Sequence, residues 1–80
     1  MRIFTRTEWD GTLRELAELF ALKKGNNRRA RAVIVTHPLG LELRLTINGD
    51  LVRSQVFRDD GALLDEGDQW KAAMTEKGWG

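Results

Sequence analysis

Eighty residues without a cysteine allow one small core, with no disulfide framework or thiolate metal site to brace it. The longest apolar run, Ala32-Val33-Ile34-Val35, is far short of the ~20 residues of a membrane span, and residues 1–6 lack the apolar stretch of a secretory signal. A net charge of +1 divides into +4 over residues 1–31 and −3 over residues 32–80. The expectation is one domain over residues 1–80, cytoplasmic, with a core small enough to profit from a second copy.

Residues 2–6 read as a short extra N-terminal strand. Residues 12–24 read as a helix: Thr12 and Glu15 have capping-box spacing, and Leu13, Leu16, Ala17 and Phe20 recur at i, i+3, i+4 and i+7. Lys23 and Lys24 then suit the negative end of the helix dipole, and Gly25 its stop.

Residues 30–37 are rich in β-branched side chains and predict a strand. Pro38-Leu39-Gly40 predicts a three-residue hairpin loop, placing Val35 opposite Leu43 and Val33 opposite Leu45. The next strand, around residues 41–47, alternates aliphatic and polar side chains up to Asn48-Gly49, the residue pair of a type I′ turn. That turn is expected to set Leu45 opposite Val52, Leu43 opposite Ser54 and Arg44 opposite Arg53. Val33, Val35, Leu43, Leu45, Val52 and Val56 would then share the buried face under Phe20 and Trp70.

A last helix is expected over residues 62–77, capped by Asp60, with the stripe Leu63, Gly67, Trp70, Met74. Gly67 within it implies close approach to the sheet. Gly78 and Trp79 fit the C′ and C″ positions of a Schellman stop. The fold class predicted is α+β in the order α-β-β-β-α, a three-stranded antiparallel meander packed with two helices.

Catalytic chemistry finds no foothold. His37 is the only histidine, Ser54 the only serine, and neither has partners at catalytic or metal-ligand spacing. Asp59, Asp60, Asp65, Glu66 and Asp68 lack the order of a calcium loop and read as helix-start acids. No enzyme, cofactor, metal or small-molecule substrate is expected.

Two interaction readings follow. Ile34, Leu51 and Phe57 fall on the sheet face opposite the predicted core, with Arg44 and Arg53 as polar anchors, which suits a protein partner or a homo-oligomer. The alternative is nucleic acid, with Lys23, Lys24, Arg28, Arg29 and Arg31 on phosphates and Arg44, Arg53 and Gln55 as groove readers. The predicted element order is shared with the double-stranded-RNA-binding domain. There the second helix opens on lysines, where this chain has aspartates.

From about Arg31 to Trp79 the sequence resembles short uncharacterised bacterial proteins encoded by small stand-alone reading frames. The resemblance rests on Thr36-His37-Pro38-Leu39-Gly40-Leu41, Arg53-Ser54-Gln55-Val56 and Gln69-Trp70-Lys71-Ala72-Ala73-Met74, with Gly78-Trp79 after them. It implies a soluble bacterial protein and assigns no site.

Overall fold

Asn48 and Gly49 reverse the chain with φ of 52° and 86°, both in the left-handed region that a type I′ turn requires. A computed structural model describes residues 13–80, and around this turn it builds four strands and a helix. These are β1 (Glu15–Lys24), β2 (Arg28–His37), β3 (Gly40–Ile47), β4 (Asp50–Phe57) and α1 (Asp60–Glu76). The sheet is antiparallel in the order β1-β2-β3-β4, so each strand pairs with its chain neighbour. The expected strand over residues 2–6 lies outside the described residues, as does Thr12 of the expected capping box.

The first helix is corrected to a strand. The architecture is β-β-β-β-α, and the order shared with the double-stranded-RNA-binding domain disappears with the helix. Leu13 and Leu16, half of the presumed helical stripe, are exposed, whereas Phe20 and Leu22 are buried with Ala21 and Lys23 exposed between them. That is period two. Register shifts between Glu15 and Ala17 and between Glu18 and Phe20 break the alternation. They bring Ala17 and Leu19 to the core as well, so the bulged strand mimics helical spacing. Pairing with β2 along most of β1 outweighs a local propensity worth only tenths of a kcal/mol per residue.

The β2–β3 loop is also corrected. It holds two residues, Pro38 and Leu39, because Gly40 already pairs with His37. One residue fewer slides the register by one and exchanges the two faces of β2. Ala32 now faces Leu45, and Ile34 faces Leu43. In β4 a second irregularity, between Leu45 and Thr46, leaves Leu45 opposite Arg53, Leu43 opposite Gln55 and Arg44 opposite Ser54. The feared Arg44–Arg53 pair does not arise. The covered face therefore carries Phe20, Leu22, Ala30, Ala32, Ile34, Leu43 and Leu45, packed with Leu63, Trp70, Met74 and Trp79 of the C-terminal part. Val33 and Val35 lie on the other face, and Val52 and Val56 are exposed.

Helix α1 starts earlier than expected, and its cap is Asp59 rather than Asp60: the Asp59 carboxylate accepts from the Ala62 N–H at 3.1 Å. Its buried stripe is Leu63, Gly67, Trp70 and Met74, as the spacing predicts. A Cβ on Gly67 would lie 2.7 Å from Leu19 Cδ1 and 3.8 Å from Leu43 Cδ2, so the missing side chain lets helix and sheet approach. The stop is a Schellman motif: Trp79 N–H donates to the Met74 carbonyl and Gly78 N–H to that of Thr75, each at 3.1 Å. Trp79 is then buried, and Gly80 reaches back to the sheet.

Candidate interaction surface

A four-stranded open sheet has two edges, each a row of unpaired backbone donors and acceptors. The two edges here are treated differently. At β1 the Gly80 N–H donates to the Lys23 carbonyl and the Lys23 N–H to the Gly80 carbonyl, both at 2.8 Å, so the C-terminal residues strap that edge. At β4, every residue from Asp50 to Val56 is exposed, and Leu51, Val52 and Val56 are 47%, 53% and 37% exposed. No proline, glycine or lysine interrupts β4, although such residues commonly blunt an edge. Among the described residues, no strand lies beyond it.

The structure divides the five interface residues expected from sequence. Ile34 is fully buried beneath the helix, and Phe57 is partly buried against the same core. Arg53 also lies on the helix side, its guanidinium 4.5 Å from the centroid of the Trp70 ring. Glu66 holds this stack: its Oε2 accepts from Trp70 Nε1 at 2.9 Å and from Arg53 Nη2 at 3.4 Å. Arg53 thus fastens β4 to α1. Arg44 and Leu51 remain on the opposite face. There a shallow groove of about 300 Å³ is lined by residues including Val33, Val35, Arg44, Thr46 and Leu51. Arg44 Nε is 3.7 Å from Glu42 Oε1, out of solvent and without a hydrogen bond.

Two surface residues escaped the sequence reading, Val52 and Val56. Their signal was the two-residue reading of Pro38-Leu39, which turns the aliphatics of β2 and β3 toward the helix and leaves those of β4 outside.

The basic cluster gathers at the β1–β2 hairpin end, where Lys23 faces Arg29 and Lys24 faces Arg28. Arg31 stands apart from it, bonded to Glu18 at 2.6 Å and Glu15 at 3.1 Å. Those two carboxylates, Glu18 foremost, raise its already high pKa further. The adjacent β3–β4 turn is latched to this hairpin, since Asn48 N–H donates to the Arg29 carbonyl and Asn48 Oδ1 accepts from Arg29 N–H. Asp59 and Asp60 lie at the other end of the sheet, at the start of α1. Among the described residues no ion pair joins the two clusters.

His37 serves its own turn, with Nδ1 accepting from the Leu39 N–H at 3.1 Å. Ser54 lies exposed on β4 opposite Arg44, not on the covered face as the sequence register placed it. Among the described residues no three His, Cys, Asp or Glu side chains gather as a metal site, and no helix is long and apolar enough to cross a membrane. No protein-family model, curated protein or solved structure matches the chain.

Proposed function

We propose that this chain is a small non-enzymatic interaction module that receives a protein partner along β4. The observation that carries the reading is the contrast between edges: β1 is strapped by Gly80, while β4 presents its backbone with Leu51, Val52 and Val56 beside it. Strand addition draws affinity from main-chain hydrogen bonds and selectivity from alternate side chains. The anchors on this reading are Leu51, Val52 and Val56. Arg44 borders the same face, and Arg53 keeps the strand rigid from behind. The test compares capture by tagged wild type with capture by the Val52→Lys/Val56→Lys variant. Loss of the partner, or of self-association, is expected in the variant; equal capture overturns the reading.

The crowding of cations at the β1–β2 hairpin favours a second reading. Directly opposed like charges destabilise a hairpin, and Lys23–Arg29 and Lys24–Arg28 are two such pairs side by side. A polyanion such as nucleic acid would relieve them. Titration of mixed duplexes at low and moderate salt tests this, with salt-sensitive micromolar binding expected and its absence decisive against it.

A further inference from the structure

We infer that the occupant of the β4 edge is a second copy of this chain, laid antiparallel about a two-fold axis that passes through Ser54. The inference rests on the reading of β4 as the working edge and adds both partner and register. Residues directly opposite in an antiparallel pair share a face, and faces alternate along each strand. Symmetric self-pairing is therefore limited to registers in which some residue meets its own copy. Centred on Arg53, the pairing opposes two guanidinium groups already engaged with Trp70 and Glu66. Centring on Val52 sets Asp50 against Ser54, and centring on Gln55 sets Asp59 against Leu51; neither neutralises a charge.

The register on Ser54 satisfies every position at once. It places Val52 against Val56 and Arg53 against Gln55 on both sides of the axis. At the two ends Asp50, the first residue of β4, meets Arg58, the residue just after it. Both are exposed and neither forms an ion pair within the chain. The exposed valines would be covered, the charges matched, and the result is one eight-stranded sheet with both helices on the same side.

The absence of cysteine makes the test direct, because a single introduced thiol reports one contact. Opposed Cα atoms in an antiparallel pair are roughly 4.5–5.5 Å apart, within disulfide reach. Under mild oxidation Ser54→Cys should link two chains, while Ala21→Cys, exposed on β1, should not. Asp50→Arg or Arg58→Asp alone should weaken the dimer about tenfold at low salt, and the double variant should restore it. Light scattering that finds only monomer up to millimolar concentration overturns the inference. If β4 then captures a different protein in a manner lost in Val52→Lys/Val56→Lys, the proposed function survives without the self-partner. A dimer without Ser54→Cys linkage, or one that the charge exchange fails to restore, overturns the register.

Discussion

Gly40 shows how much one missing methyl can decide. With φ of 148°, a Cβ there would lie 2.2 Å from the Phe57 carbonyl oxygen, and that oxygen belongs to the backbone of β4. Gly40→Ala must therefore separate β3 from β4 at their closed end, and a loss above about 2 kcal/mol is expected in urea denaturation. Gly25, at φ of 65° with open space around it, should lose about 1 kcal/mol on the same change, from conformation alone. The exchanged faces make a second pair of contrasts. Ile34→Ala should cost roughly 2–5 kcal/mol as a core truncation, and Val56→Ala under about 0.5 kcal/mol in the monomer. Equal losses would show that the valine, not the isoleucine, faces the helix. At the hairpin end, Lys23→Glu turns an opposed like-charge pair with Arg29 into an attractive one. A gain of about 0.2–1 kcal/mol that fades with salt is the expected outcome, and on the polyanion reading it would come with weaker duplex binding.

At the scale of elements, α1 and its stop were legible because each signal was local and redundant. The four-three-four spacing of Leu63, Gly67, Trp70 and Met74 and the Gly78-Trp79 pair needed no partner to be interpreted, and the Asn48-Gly49 turn was equally self-contained. The first strand was not legible. Its two bulges arise from pairing with β2, and their effect on spacing looks helical until the partner is known. The β2–β3 register failed for a related reason: Pro38-Leu39-Gly40 suits a loop of either length, and the close approach of Gly40 to Phe57, two strands away in sequence, decides between them. The candidate site inherited that error, so Ile34 was taken for surface while Val52 and Val56 were taken for core. The C-terminal clasp gives this scale its own test. Trp79→Ala should remove about 3–5 kcal/mol and raise hydrogen exchange at the Lys23 amide, whose acceptor is Gly80. Unchanged exchange at Lys23 would mean that the strap closes without the indole.

For the whole molecule, charge runs along the long axis. The end with the Lys23–Arg29 and Lys24–Arg28 pairs is cationic, and the end where α1 begins is anionic. Two-fold pairing through Ser54 would point the cationic ends of the two copies in opposite directions, keeping like ends apart. The strap at β1 has a further consequence. Joining β4 of one chain to β1 of the next is a head-to-tail contact, which repeats without limit and yields fibres. Gly80 occupies part of the surface such growth would need, whereas matching β4 to β4 spends both free edges in a single event. A sheet blocked on one flank can thus stay adhesive on the other and still stop growing at two chains.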